Sequence, residues 1–263
     1  KRMLHFAGAA YCDSSEVKSW SCGEHCDSVS GLEMITYIDH KFQVLAAFVA
    51  YDSTQNAVIV SFRGTVSTSI IDWINNLEYT KTSPWSKYPN AGVHHGFNDA
   101  WEDLKSDVMS AINNIRATHS TTNVQITGHS LGAAMAINAA MDIKLNYGLD
   151  TSVVDFGRPR SGDTGFAQAL VSEGISTFRV THHHDVVPHA PPEALGFYHS
   201  VREVYFADTS SSNYVVCDGS GEDSSCSNSC SPFSCTSVDD HLLYMGVTMG
   251  GNNCASSKDA MVV

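Results

Sequence analysis

A serine between two glycines lies where a predicted strand meets a predicted helix. Residues 124–127 are mostly β-branched and predict a short strand, and the alanine-rich stretch up to about residue 147 predicts a helix. Between them the chain reads Gly128-x-Ser130-x-Gly132. The glycines remove side chains where strand and helix crowd together, and the sharp turn forces the serine into a strained, exposed position. This junction predicts a nucleophilic serine above a sheet.

Strands and helices alternate along the rest of the chain. A helix is predicted over about residues 98–118, because its apolar residues recur every three or four positions. We also predict strands over 32–39, 43–51, 57–62, 152–156 and 177–181, and helices over 1–11 and 165–173. Such alternation predicts an α/β fold with a central, mainly parallel sheet and helices on both faces, in one domain spanning 1–263. Residues 210–237, rich in Ser, Cys, Asp and Gly, are expected to form a surface excursion.

The charge balance excludes several classes of partner. The 28 acidic and 15 basic residues give a formal net charge of −13, which disfavours nucleic acids and anionic lipid headgroups. The longest apolar run, residues 44–51, is too short to span a bilayer and predicts a buried strand. The chain begins at Lys1 without a charged-then-apolar leader, so we expect that any targeting segment was removed or never present.

Eight cysteines cluster towards the two ends of the chain. Their even number predicts disulfides and an oxidising, extracellular compartment. A metal site at Cys22-x3-Cys26 is the alternative, but it needs two further soft ligands nearby. The economical pairing among the possible ones is Cys12–Cys254, Cys22–Cys26, Cys217–Cys226 and Cys230–Cys235.

A serine hydroxyl needs a base that removes its proton and an acid that orients the base. In the hydrolase order Ser…Asp…His, the acid follows a strand after the serine and the histidine lies near the end of the chain. Asp185 follows a predicted strand, and His241 is the only histidine after His199. We therefore predict the triad Ser130, Asp185 and His241.

Four histidines, His182, His183, His184 and His189, crowd the predicted acid Asp185 and raise the possibility of a zinc site. Strand alternation points neighbouring side chains to opposite faces, so adjacent histidines are not expected to converge on one ion. We therefore expect no metal.

Other polar residues compete for roles in the triad. His129 and the histidines at 94–95 are interpreted as packing or supporting groups rather than bases. Asp155 is the second candidate for the acid. The aspartates at 239–240 are too close in sequence to His241 to be preferred.

Six motifs, in the same order, make the chain resemble the class 3, filamentous-fungal-type lipases of the α/β-hydrolase fold. They are FRGT at 62–65, VHHGF at 93–97, TGHSLG at 127–132, GRPRSGD at 157–163, DVVP at 185–188 and DHL at 240–242. The predicted pairs Cys12–Cys254 and Cys217–Cys226 also resemble disulfides of this family. The pair Cys230–Cys235 is an addition in this chain.

The resemblance implies the same triad of Ser130, Asp185 and His241. It also implies an oxyanion hole formed by the backbone N–H of Leu131 and by Thr65, through its N–H and its hydroxyl. Each such donor contributes roughly 3 kcal/mol in the transition state.

Residues 66–77 correspond to the family's short helical lid. As a helix, this segment is expected to place on one side Ile70, Ile71, Trp73, Ile74 and Leu77, opposite Asp72, Asn75 and Asn76. The alternative is an ordinary amphipathic helix packed on the core. Relatives often carry a basic residue where this chain has Ile71, and the loop here is about two residues longer.

These features predict a secreted serine ester hydrolase without cofactor or metal, and the apolar lid favours long-chain triacylglycerols at a lipid surface. A monomer is expected, with peripheral lipid contact through the lid. The alternatives within the family are a feruloyl esterase, a mono- or diacylglycerol lipase and a phospholipase A1. A binding module without catalysis would show a broken triad, and all three members are present.

Overall fold

The computed structural model describes residues 1–40, 44–66, 70–208, 213–230, 234–251 and 253–256. The strands are β1 (Leu32–His40), β2 (Leu45–Asp52), β3 (Ala57–Phe62), β4 (Lys81–Thr82), β5 (Val93–His94), β6 (Asn123–Gly128), β7 (Asp150–Phe156), β8 (Ser176–His182), β9 (Glu203–Phe206), β10 (Tyr214–Val216), β11 (Leu243–Tyr244) and β12 (Val247–Thr248). The α-helices are α1 (Arg2–Ala9), α2 (Ser14–Lys18), α3 (Glu24–Asp27), α4 (Ile70–Asn75), α5 (His95–His119), α6 (Leu131–Tyr147), α7 (Thr164–Ser172) and α8 (Val238–His241). Short 3-10 helices cover Val187–His189, Glu193–Leu195 and Ser227–Ser229. Among these helices, none has the length and apolarity needed to cross a membrane.

One eight-stranded sheet forms the centre of the molecule, in the order β1-β2-β3-β6-β7-β8-β9-β10. The neighbours from β3 to β9 are parallel, while β1, β2 and β10 are antiparallel to the strands beside them. Two small hairpins, β4–β5 and β11–β12, lie outside this sheet. The prediction of a central, mainly parallel sheet is confirmed.

Alternating side chains of β3 divide the core into layers. Val58, Val60 and Phe62 belong to the apolar layer shared with α5, α6 and α7. Ala57 and Ile59 point to the other face and join the layer that contains residues of α1 and α2. Because successive strand residues point to opposite faces, a strand buried on both faces needs apolar residues at nearly every position. The helices therefore cover both faces, as predicted.

The predicted elements agree with the observed ones to within a few residues, but two strands of the central sheet and the four two-residue strands outside it were missed. β9 and β10 lie close to or within the stretch interpreted as a surface excursion. β9 begins with a charged residue, Glu203, whose burial the sequence does not reveal, and β10 is three exposed residues long. Short strands without alternation carry too little signal to be recognised.

All eight cysteines form disulfides in the predicted pairing. The bonds join Cys12 to Cys254, Cys22 to Cys26, Cys217 to Cys226 and Cys230 to Cys235. The metal alternative at the second pair is therefore wrong. The first bond spans 242 residues and connects the region after α1 to the far end of the described chain. By loop entropy such a long closure removes the most freedom from the unfolded chain, roughly 5 kcal/mol.

We predict that a buried histidine makes folding sensitive to acid. His25 of α3 is fully buried over Gly8 of α1, and burial, followed by the charge of nearby His5, lowers its pKa to about 4. The unfolded chain takes up this proton near pH 6.5, so the stability from His25 is present above that pH and is lost as the pH falls towards 4. Replacing His25 with Leu should reduce the loss of unfolding free energy between pH 7 and pH 5 by about 2 kcal/mol. Urea unfolding at the two pH values measures this difference.

The matched control is the exposed His95, whose side chain is 52% accessible in its pair with Asp99. His95→Gln should leave the pH dependence of unfolding unchanged. An unchanged pH dependence in the His25 variant would contradict the prediction.

Candidate functional site

The predicted nucleophile sits in a strained turn at the end of β6. Ser130 has φ 60° and ψ −128°, a left-handed conformation that non-glycine residues rarely adopt. A Cβ on Gly128 would lie 2.3 Å from the carbonyl carbon and oxygen of Gly132, and one on Gly132 would lie 2.2 Å from the Phe62 carbonyl oxygen. Backbone cannot give way as a flexible side chain can. Both glycines are therefore required for β3, β6 and the start of α6 to meet.

Asp185 and His241, which are 56 positions apart in sequence, form a buried hydrogen-bonded pair. His241 Nδ1 lies 2.9 Å from Asp185 Oδ2. Asp185 lies in the turn that follows β8, and His241 is the last residue of α8, whose first turn is capped by the Ser237 hydroxyl. The two residues and Ser130 are at most 2% exposed. The structure thus brings the predicted acid and base together.

Three donors hold the Asp185 carboxylate in its charged form. Besides His241, the Tyr244 hydroxyl donates to Oδ2, and the Val187 N–H donates to Oδ1 at 2.8 Å. Burial works against ionisation, but these interactions outweigh it and hold the pKa of Asp185 below its usual value. Burial and the neighbouring carboxylate raise the pKa of Tyr244 well above its ordinary value, so its hydroxyl remains a donor. Tyr244 was not predicted, although its position three residues after His241, at the end of β11, was a usable signal.

The hydroxyl of Ser130 and the Nε2 of His241 are both buried, and neither has a hydrogen-bond partner in the part of the chain that the structure describes. No hydrogen bond between the two is formed in this structure. Their segments are in contact, because the His129 and His241 rings lie 4.3 Å apart and His129 Nε2 is 2.8 Å from the His241 carbonyl oxygen. Catalytic hydrogen bonds are often long without substrate and tighten when it binds. His241 therefore keeps one nitrogen free on the ring that Asp185 orients.

His129 supports the site as a neutral group. Since a carbonyl oxygen can only accept, the contact with the His241 carbonyl places the proton on His129 Nε2. Its Nδ1 then accepts from the Tyr11 hydroxyl at 2.8 Å. Burial, aided by the charge of His241, lowers the pKa of His129 to about 3. These contacts confirm that His129 is a packing group and not a base; the part of Tyr11 was not predicted.

The two predicted oxyanion residues lie on either side of this turn. Leu131 is the first residue of α6, where backbone N–H groups have no partner within the helix. Thr65 follows the end of β3, and its hydroxyl is buried without a hydrogen-bond partner among the described residues. A Cβ on Gly64 would lie 2.0 Å from the Tyr11 hydroxyl and 2.5 Å from the His129 carbonyl oxygen. Glycine there lets the chain approach the strained turn of residues 128–132, called the elbow below.

The predicted lid contains α4, while residues 67–69 lie outside the described residues. Ile70 is buried, Trp73 and Ile74 are partly buried, and Trp73 stacks on Phe97 with ring centroids 6.3 Å apart. The prediction that Ile71 shares this apolar side is wrong, because Ile71 faces solvent and is 40% exposed. Successive residues of an α-helix are rotated by about 100° around its axis, so Ile71 points away from the side that carries Ile70.

A cleft of about 590 Å³ lies between α4 and the start of α5. Trp73, Leu77, Phe97 and Leu131 line it, so it reaches from the predicted lid to the predicted oxyanion hole. Acidic residues also line it, at positions 78, 99 and 103. The cleft can therefore hold an apolar chain beside the nucleophile and is unfavourable for an anionic group.

The competing candidates for the acid lie elsewhere. The second candidate, Asp155, is completely buried beside Arg158, with 3.2 Å between the carboxylate and the guanidinium. Asp240 faces His183 at 2.9 Å, and Asp239 is exposed. Asp185 is the carboxylate that contacts His241.

The side chains of His183 and His184 do not point to opposite faces, contrary to the prediction from strand alternation. β8 ends at His182, and His183 has φ 41°, so the chain no longer alternates there. The two rings stack with centroids 4.0 Å apart. Neighbouring histidines therefore do converge at this position.

Comparisons with known proteins agree with this geometry. The profile of the class 3 lipases matches residues 59–195. A curated lipase of Rhizomucor miehei is 36% identical over 88% of this chain, and the chain spans 63% of that relative's length. A secreted mono- and diacylglycerol lipase of Fusarium solani is 30% identical over 82% of this chain and 67% of its own. A solved structure of the Rhizomucor miehei triacylglyceride lipase matches with a TM-score of 0.84 at 32% identity, covering 95% of this chain and 94% of that one.

We predict that the Tyr244 hydroxyl stabilises the buried carboxylate of Asp185. Tyr244→Phe keeps the ring packing and removes one donor to a buried charge. It should lower the free energy of unfolding at pH 7 by about 2 kcal/mol, as measured by urea denaturation. Tyr88→Phe is the matched control, because the Tyr88 hydroxyl also donates to a carboxylate, that of Glu173 nearer the surface. Equal losses in the two variants would show that Tyr244 has no special part.

Proposed function

The chain belongs to the class 3 lipase family and has the α/β-hydrolase fold, and on this premise we propose that it hydrolyses the ester bonds of long-chain triacylglycerols. The observation that carries the proposal is the buried Asp185–His241 pair, in contact with the strained turn that presents Ser130. A serine hydrolase needs these three groups, and this arrangement supports the roles of nucleophile, acid and base that we propose for them.

The orientation of His241 defines the direction of proton transfer. Because Nδ1 donates to the Asp185 carboxylate, the lone pair of the imidazole is on Nε2. We infer that Nε2 takes the proton of the Ser130 hydroxyl as its oxygen attacks the ester carbonyl. His241 then gives this proton to the departing alcohol, leaving an acyl group on Ser130. Water then attacks the acyl-enzyme while Nε2 accepts a proton from it. His241 returns this proton to the Ser130 oxygen as the fatty acid leaves, which restores the starting enzyme.

The attack creates negative charge on the former carbonyl oxygen. We propose that the Leu131 N–H and the Thr65 N–H and hydroxyl stabilise it, because Leu131 begins α6 and the Thr65 hydroxyl is buried without a partner within the described chain. The positive end of the α6 dipole adds to this effect. Removing one such donor typically lowers the rate by roughly 100- to 1000-fold.

The substrate class is inferred from the cleft and from the relatives. Apolar residues of α4 and α5 line a cleft of about 590 Å³ that could take an acyl chain, and the acidic residues beside it disfavour anionic phospholipids. The Rhizomucor miehei relative is named a triacylglyceride lipase, whereas the Fusarium solani relative is named for mono- and diacylglycerols. Partial acylglycerols are therefore the second candidate, followed by feruloyl esters and phospholipids.

We further propose that the protein works outside the cell at a lipid–water interface. Four disulfides are typical of an oxidising compartment, and the Fusarium solani relative is named as secreted. The exposed Ile71 offers an apolar contact to a lipid surface, and outward movement of α4 would uncover more. The monomeric state stays a prediction.

We predict that Ser130→Ala lowers kcat on a p-nitrophenyl ester by about 10⁴-fold or more. The hydroxyl is the attacking group, and Ala keeps the small volume of the site. A fluorophosphonate should label the unaltered protein and fail to label the variant. Ser172→Ala on the exposed side of α7 is the control and should keep full activity. Labelling that persists in the Ser130 variant would place the nucleophile elsewhere.

We predict that the apolar residues of α4 produce activation by a lipid surface. Changing Ile70 and Trp73 to Ser should abolish the jump in rate that follows when a short-chain triacylglycerol passes its solubility limit. The rate on dissolved substrate is measured in parallel and reports whether the site remains folded. Val171→Ser, which removes an exposed apolar residue of α7, should keep the jump. A jump of the same size in the α4 variant would refute the lid.

A panel of triolein, diolein, phosphatidylcholine and methyl ferulate tests the substrate class directly. We expect the highest specific activity on triolein. A higher specific activity on diolein, phosphatidylcholine or methyl ferulate would replace the proposed substrate class with that one.

A further inference from the structure

Two histidines and an aspartate outside the triad converge near the protein surface. They are His183, His184 and Asp240, and one potential ligand atom from each lies within 4.8 Å of those of the other two. His183 Nδ1 is 2.9 Å from Asp240 Oδ2, and the backbone N–H of His184 donates to the same oxygen at 3.2 Å. Nothing in the hydrolytic mechanism uses this cluster.

The backbone conformation explains why successive histidines point the same way. In a strand their side chains would lie on opposite faces. Here β8 has ended at His182, and the left-handed φ of 41° at His183 turns the chain. The imidazoles of His183 and His184 therefore stack, with centroids 4.0 Å apart and planes 17° from parallel. Few non-glycine residues adopt such a φ, although histidine does so more often than most.

Contacts from several elements hold the three residues in place. The His183 N–H donates to the carbonyl of Phe206 on β9 at 2.7 Å, and the His184 carbonyl accepts from the Ser237 N–H at 3.0 Å. Asp240 is fixed because its own N–H donates to the Ser237 hydroxyl at 2.9 Å. The groups are therefore preorganised before any ligand binds.

The cluster is also open to solvent. The side chain of His183 is 33% accessible and that of Asp240 is 13% accessible, while His184 is exposed. An ion can reach the three ligand atoms directly from water, and a water molecule can complete its coordination.

We propose that His183, His184 and Asp240 bind one divalent transition-metal ion of the zinc type. Two imidazoles and one carboxylate suit zinc or cobalt, whereas calcium and magnesium require more oxygen ligands. Tetrahedral ligands about 2.0–2.1 Å from zinc are roughly 3.3 Å apart, so small rotations of the side chains are sufficient. When Nδ1 of neutral His183 binds the ion, its proton moves to Nε2, so the contact with Asp240 gives way to two bonds to the metal.

The bound ion would link the two segments that carry the triad's acid and base. His184 directly precedes Asp185, and Asp240 directly precedes His241. An ion that binds the folded chain and not the unfolded one stabilises the fold. The ion would therefore hold the turn after β8 against α8, and it takes no part in the chemistry.

The experiment uses the full chain after dialysis against a chelator. Titration with cobalt(II), followed by visible absorption, should show one site with the intense bands of a tetrahedral ion, and calorimetry with zinc should give one ion per chain. Zinc at tenfold its Kd should raise Tm by roughly 3 °C. His184→Gln and Asp240→Asn should each weaken zinc binding by about tenfold or more, which reduces the Tm shift at the same zinc concentration to about a third or less.

His40→Gln is the matched control, because His40 forms a histidine–aspartate pair with Asp107 at 2.9 Å without a third ligand. It should keep the cobalt spectrum and the Tm shift. Absence of the spectrum from the unaltered protein, or equal binding in the His184 variant, would overturn the proposal. His184 is exposed, so its variant decides the question even where Asp240→Asn lowers the metal-free Tm. Because the readouts are binding and unfolding, failure of this proposal leaves the proposed hydrolase activity untouched, and the reverse also holds.

Discussion

Direct backbone contact between the start of α6 and the end of β3 is the constraint on which the rest of the site depends. Gly132 lies against the Phe62 carbonyl with no room for a side chain, and Gly128 faces Gly132 in the same way. This contact forces Ser130 into its left-handed conformation and brings the chain after β3 beside the nucleophile. A single methyl group at either glycine would separate the serine from the donors proposed to stabilise the oxyanion. The strain at Ser130 is maintained because the sheet below and the helix above are both rigid.

Burial of charge is the second condition that the site has to meet. Asp185 remains ionised away from water because His241, Tyr244 and a backbone N–H surround its oxygens. The same solution recurs nearby, where Arg179 and Glu203 are both buried and lie 3.0 Å apart. A buried charge that loses its partner is strongly destabilising, so each pair constrains the segments that carry it. The charged residue at the start of β9 thus secures the end of the sheet next to the triad.

The triad residues are buried in this structure, and the proposed function requires that Ser130 become accessible to substrate. Ser130 is fully buried, yet the cleft lined by Trp73 and Leu131 extends from α4 to the elbow. The helix α4 is short and packs through Ile70 and Trp73, while Ile71 faces solvent. A helix of six residues has little stability of its own, so its position depends on these few contacts. A lipid surface that offers the same apolar contacts can therefore compete for it.

The sequence by itself determined the elements whose signal is local. Hydrophobic period identified β3 and α5, glycine spacing identified the elbow, and the chain order Ser…Asp…His identified the residues that the structure brings together. Only the tertiary structure decided the contacts that depend on distant segments or on one backbone angle: the hydroxyl of Tyr244 on Asp185, the outward side of Ile71, and the convergence of His183 with its neighbour. The physical reason is that periodicity reports which face of an element is apolar. Which polar groups meet across two elements depends on their packing, and a single left-handed residue reverses the expectation from strand alternation.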